Sequence, residues 1–166
     1  MFGLFGGNKA ELQVSRLASE LEEIFGSLFH GQDVPSAFVM EPYVSGYIVG
    51  YSIAVMDLRF DALNWSKDRR GKFQLDLYQK ISFTNSCGFD RFLKDLDFAR
   101  QLASDPDFCT GRDHASICAV VVHDKLKAGV SDPLIDSAKA TADKLQIDLK
   151  AALFMETIGS FKINWR

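Results

Sequence analysis

The sequence is poor in the residues that mark the commonest chemistries. Its three cysteines, Cys87, Cys109 and Cys118, are odd in number and lack paired spacing. That pattern argues against a disulfide framework and for a reducing compartment, so the expected location is cytoplasmic. The chain has no CxxC, HExxH or ExxH pattern, so neither a structural zinc site nor a carboxylate di-iron bundle is indicated. Phosphate loop, dinucleotide fingerprint and ordered triad are missing as well. A formal charge of -3 gives no general basis for binding nucleic acid, which usually requires a basic domain.

Long hydrophobic runs are also scarce. The uncharged stretch Pro42 to Met56 is closed by Glu41 and Asp57, short of the roughly 20 apolar residues that a membrane span needs. The opening Met1-Phe2-Gly3-Leu4-Phe5-Gly6-Gly7 lacks the basic flank and apolar length of a secretory signal, and Gly does not occupy position 2 as N-myristoylation requires. Residues 1–7 read as an apolar, glycine-rich tail, and 8–166 as a single helical domain large enough to bury its own core. The tail either staples onto the first helix, stays disordered, or inserts Phe2, Leu4 and Phe5 into a partner or a membrane surface.

What the chain does have is helical periodicity and phenylalanine. Fourteen Phe stand against 4 Tyr and 2 Trp, which suits a Phe-rich core or, as a sharper reading, a hydrophobic ligand pocket. The first helix is expected from Asn8, as cap with Glu11 answering it, to about His30, where Gly31 stops it. Its stripe is Val14, Leu17, Leu21, Ile24 and Leu28. A second starts at Pro35 or Pro42 and runs to about residue 63, apolar on every side, as a buried helix is. Gly46, Gly50 and Ala54 form a row of small residues along it that lets a neighbouring backbone approach closely. A third is expected over 68–83. The fourth, over 89–103, carries Phe89, Phe92, Leu93, Leu96, Ala99 and Leu102 as its stripe.

The β-branched run Ile117 to Val122 is compatible with a strand, yet a lone strand would have no partner, and helix is preferred. A last helix starts at Pro133, capped by Ser131 or Asp132, and runs to about Ile158. Lys139/Asp143 and Lys144/Asp148 are spaced to pair outside it. The expected fold is an all-α single-domain bundle of five or six helices packed around a central apolar helix at about 42–63.

Three groups of residues are candidates for chemistry or binding. Cys109, Asp113, His114, Cys118, His123 and Asp124 are the densest reactive set. On a helix His114 and Cys118 share a face, as a metal site or a thiol nucleophile would need, and Cys109 is a further ligand candidate. Cys118 is more simply a small buried hydrophobe. Asp57 and Asp61, also four apart, could share a proton or hold a cation, or simply be solvated where the central helix leaves the core. Finally, Trp65, Lys67, Arg69, Arg70 and Lys72 crowd cations at the start of the third helix, where the macrodipole disfavours them. Such a site can receive a phosphate or an acidic partner, with Trp65 as a stacking plane.

The reading drawn from these features is a non-catalytic binding or adaptor module that engages a protein or another acidic or apolar partner, or a second copy of itself, with no cofactor expected. The alternative is a helical metal- or cofactor-dependent enzyme using His114, Cys118 and Asp57 or Asp61 beside a Phe-rich pocket.

Overall fold

The computed structural model describes residues 4–126, 128–129 and 131–158, with side chains from residue 9 onward and excepting Leu126. Among these the fold is all-α, without a strand: α1 (Leu4–Leu28), α2 (Ser36–Met40), α3 (Pro42–Phe60), α4 (Lys67–Lys80), α5 (Ser82–Ser86), α6 (Arg91–Lys94), α7 (Leu96–Ala103), α8 (Pro106–Val120), α9 (Pro133–Leu145) and α10 (Leu149–Ile158). A 3₁₀ turn (Ala62–Asn64) precedes α4, and a π turn (Val121–Leu126) continues α8. The run at 117–122 is thus helical throughout. None of these helices is long and apolar enough to cross a membrane.

The uncharged segment becomes α3, which starts with Pro42 at its first position and is buried continuously from Tyr43 to Ser52. All four tyrosines are buried, three of them at every fourth position of this helix. Around it Phe25 meets Phe38, Phe83 and Phe154 edge-on, with ring centroids 5.3–5.9 Å apart. Each such ring buries about 1.5–3 kcal/mol of transfer free energy, and aromatic pairing adds about 0.5–1.5 kcal/mol. These phenylalanines are core.

The tightest packing is between α3 and α8. A Cβ on Gly46 would lie 2.0 Å from the Phe108 carbonyl oxygen, and one on Gly50 2.4 Å from that of Arg112. From the other side, a Cβ on Gly111 would lie 2.0 Å from the carbonyl oxygen of Tyr43. The two backbones touch with no side chain between them. Ala54, one step along the row, is half-buried against the core.

The structure corrects several expected boundaries. The first helix begins at Leu4, so residues 4–7 are helical and Asn8 lies inside the helix instead of capping it. Gly6 and Gly7 weaken a helix by about 1 kcal/mol each without ending it. Phe2 lies outside the described residues, as do the side chains of Leu4 and Phe5. The helix closes with His30 in the left-handed region (φ 50°) ahead of Gly31, and the Gly31 amide reaches back to the Gly26 carbonyl at 2.9 Å.

Each of the longer expected helices is cut at or near a polar residue, either by a left-handed turn or by a side chain that takes over backbone groups. The central helix stops at Phe60 because Asp61 turns left-handed (φ 56°). The third is divided at Ile81, where the Thr84 hydroxyl donates to the carbonyl oxygen of Tyr78. The fourth is divided at Asp95, whose carboxylate caps α7 by accepting from the amides of Asp97 and Phe98. That break turns Leu96 outward, 64 % exposed. The last is divided at Gln146 (φ 55°), leaving Leu145 exposed. Asp148 caps α10 instead of pairing with Lys144, and Lys139 sits 3.9 Å from Asp136.

Candidate functional site

The route from α3 to α4 builds the most distinctive surface of the molecule. Asp61 ends α3, the Asn64 amide donates to the Asp61 carboxylate at 2.9 Å, and Trp65 follows in an extended conformation. Ser66 then caps α4 by accepting from the amide of Arg69. Arg70 fixes this corner: it donates to the Ala62 carbonyl at 2.9 Å and pairs with Asp57 at 3.0 Å. Arg70 is therefore half-buried and held by the fold, unlike the other cations of the expected site. Arg69 points outward and stacks its guanidinium on the Trp65 ring, 4.1 Å from the centroid.

Between α1 and α4 lies a groove of about 590 Å³, with Ala10, Glu11 and Val14 on the α1 side and Trp65, Arg69, Lys72, Phe73, Asp76, Gln79 and Lys80 on the α4 side. A smaller hollow of about 160 Å³ shares Ala10, Trp65 and Arg69 and adds Lys9 and Phe60. The floor is apolar: Val14 and Phe73 are buried, and the Phe73 ring packs 5.5 Å from Trp65 and 5.8 Å from Phe60. The rim carries four cations, Lys9, Arg69, Lys72 and Lys80, against two carboxylates, Glu11 and Asp76. Lys72 reaches Asp76 at 2.7 Å, an exposed pair one helical turn apart that contributes little stability. Lys67, at the first position of α4, is exposed. A surplus of positive charge over an aromatic floor, in a chain of net charge -3, suits an anionic ligand with an apolar body.

A second polar centre was not singled out from the sequence. Glu20, 7 % exposed, joins α1 to α3 and α10. It accepts from the Tyr51 hydroxyl at 2.6 Å and from both Arg59 guanidinium nitrogens at 2.5 and 3.1 Å, and it pairs with Lys150 at 3.1 Å. Burial alone would raise its pKa, but the Arg59 and Tyr51 hydrogen bonds and the Lys150 charge together hold the carboxyl below its ordinary value. Burial and the Glu20 charge push the Tyr51 hydroxyl far up. A carboxylate so fully engaged is a weak base, and its role is to latch three helices. Glu20 stands three residues after Leu17 and four before Ile24, on the core face of α1, and that placement was its signal in the sequence.

The reactive set on α8 is dispersed. His114 Nδ1 is 2.9 Å from the Tyr43 hydroxyl, half-buried beside α3. Cys118 is buried 3.9 Å from the Leu153 carbonyl oxygen, and burial pushes its thiol up, the opposite of what a nucleophile needs. Cys109 turns toward the Ala103 carbonyl oxygen at 3.4 Å, and His123 pairs with its neighbour Asp124 at 2.7 Å on the π turn. Asp113 pairs with Arg112. Among the described residues no three His, Cys, Asp or Glu side chains meet as a metal-binding group. Asp57 and Asp61 do not converge either, the first being taken by Arg70 and the second by Asn64.

Comparison with known proteins adds no assignment: no family model, no curated protein and no solved structure matches the chain.

Proposed function

We propose that this protein is a non-catalytic binding module of the cytoplasm, and that the groove between α1 and α4 is its working surface. The observation that carries this reading is the stack of Arg69 on Trp65 at the mouth of an apolar groove rimmed by four cations. Arg and Trp are the side chains that most often concentrate binding energy, and here both stand beside a floor that water leaves readily. Among the described residues Arg69 and Lys72 make only the exposed Trp65 stack and a surface pair with Asp76, so their placement is free to serve a ligand. The three free cysteines fit a reducing compartment.

The test is the binding of 1-anilinonaphthalene-8-sulfonate, an anion on an apolar frame. Saturable fluorescence enhancement is expected, with loss of that signal in Trp65→Ala and in Arg69→Glu while circular dichroism and melting temperature stay at wild-type values for the Arg69 variant. Full dye binding by a folded Arg69→Glu protein would remove the groove as the site.

A further inference from the structure

We infer that the groove between α1 and α4 receives an acidic amphipathic helix of a partner protein. This deepens the groove reading above and rests on it. Three features of the groove select that occupant. The first is length. Its α4 wall runs from Arg69 to Lys80, which at 1.5 Å per residue is about 16 Å, three helical turns. Helix-in-groove recognition reads anchors over that distance, at i, i+3 or i+4 and i+7.

The second is the spread of charge. Arg69 and Lys72 lie toward the start of α4, Lys80 at its end and Lys9 across the groove on α1. A single-headed amphiphile such as a fatty acid would engage one end and leave the cations at the other end uncontacted. A helix with carboxylates along both sides of an apolar stripe meets all of them. The third is the pair of carboxylates set into the rim, Glu11 and Asp76. They penalise a uniform polyanion or an anionic bilayer, and they admit an occupant whose acids are interrupted by a cation at one position. The groove is also concave, with Phe73 only 4 % exposed at its base, so an inserted side chain reaches the floor whereas a flat lipid surface does not. The chain's own residues 159–166 carry Lys162 and Arg166 and no Asp or Glu, the wrong charge for this rim.

The experiment uses full-length protein carrying Trp165→Phe, which leaves Trp65 as the sole tryptophan reporter. The probes are synthetic helices of about 14 residues with leucine at i, i+3 and i+7 and glutamate flanking the stripe in stepped registers, alongside the same peptides with lysine for glutamate. At least one glutamate peptide is expected to shift Trp65 emission saturably, to weaken as salt rises, and to bind about tenfold or more tightly than its lysine counterpart. Arg69→Glu with Lys72→Glu is expected to reverse that preference without changing the melting temperature.

Equal binding of the two peptide series, or no Trp65 response to any glutamate peptide, overturns the inference. So does saturable binding of dodecanoate or of phosphatidylglycerol vesicles without peptide binding. A concentration-dependent dimer in light scattering that the double charge reversal dissolves also overturns it, by making a second copy the occupant. If the sulfonate dye still binds while the peptides fail, only the occupant is wrong. If the dye fails too, the groove itself is not the site.

Discussion

Two helix pairs in this molecule solve the same packing problem in opposite ways. Where α3 crosses α8, both helices contribute glycines, Gly46 and Gly50 from one and Gly111 from the other, and main chain rests on main chain. Where α1 runs beside α4, Trp65, Phe73, Arg69 and Lys72 stand between the helices and leave a groove of about 590 Å³. Small residues close a pair and leave nothing for a ligand. Large ones hold it open and supply both floor and rim. The difference separates the part of the chain that determines the fold from the part available for binding, and substitutions at matched positions should expose it.

The largest effect belongs to the closed pair. Gly46→Ala places a methyl 2.0 Å from a backbone oxygen that no rotamer change can move. The helices must separate, and the expected loss is at or above the roughly 3 kcal/mol that tops the usual overpacking range. At about 2–4 °C per kcal/mol for a domain of this size, thermal unfolding should move down by about 10 °C, or the protein should fail to fold. A shift under about 2 °C would mean that the crossing is looser than its geometry.

Next comes the latch between the two regions. Glu20→Ala leaves Arg59 and Lys150 facing each other without their shared carboxylate, at an expected cost of about 3 kcal/mol, the low end for a broken buried pair because both cations still reach water. Glu20→Gln separates charge from shape. The native carboxyl titrates below its unfolded value of about 4.3, so its stabilisation is fully present above that pH and disappears as pH falls through the folded value. The melting-temperature gap between wild type and Glu20→Gln should be constant from pH 6 to 8 and close below about pH 4. A gap that widened in acid would reverse the assigned direction.

A third substitution repeats the first in the open pair and should change sign. Gly71, in α4, has nothing within 4 Å of where its Cβ would stand. Gly71→Ala therefore gains only helix propensity, about 0.8 kcal/mol, and should raise the melting temperature by about 2 °C. Destabilisation there would show that α4 packs more closely than the groove implies.

The contrast between these glycines marks how much a sequence of this kind exposes. Helix content, the central apolar helix and the cap and proline at Asp132 and Pro133 follow from local chemistry and periodicity, and so they were legible. The breaks were not, because Asp61 and Gln146 end helices by turning left-handed and Asp95 by capping the next one, roles that these residues take up only where tertiary contacts favour them. Gly111 carried no signal of its own, since its role is defined by Tyr43 across the crossing. In the site, the cations and Trp65 stood out in the chain. Yet the division of labour between Arg69 and Arg70 depends on Asp57 and the Ala62 carbonyl, which only the fold brings beside Arg70. The reactive set on α8 is dense along the chain, whereas helical geometry distributes it between α3, α10 and solvent.

That division gives the smallest expected change in stability. Arg69→Glu alters an exposed side chain whose one specific contact among the described residues is the Trp65 face, worth about 0.5–1 kcal/mol at an accessible site. Its position in the first turn of α4 compensates, because an acid there faces the positive end of the helix and recovers a similar amount. The net change in unfolding free energy should stay within about 0.5 kcal/mol. Arg70→Glu, one residue on, should instead cost about 2 kcal/mol or more, because it sets a carboxylate against Asp57, half-buried and deprived of its counter-ion. Chemical denaturation of the two variants side by side measures the distinction: equal midpoints would mean that both arginines hold the corner, and the open pair would then owe its cations to folding and not to a ligand.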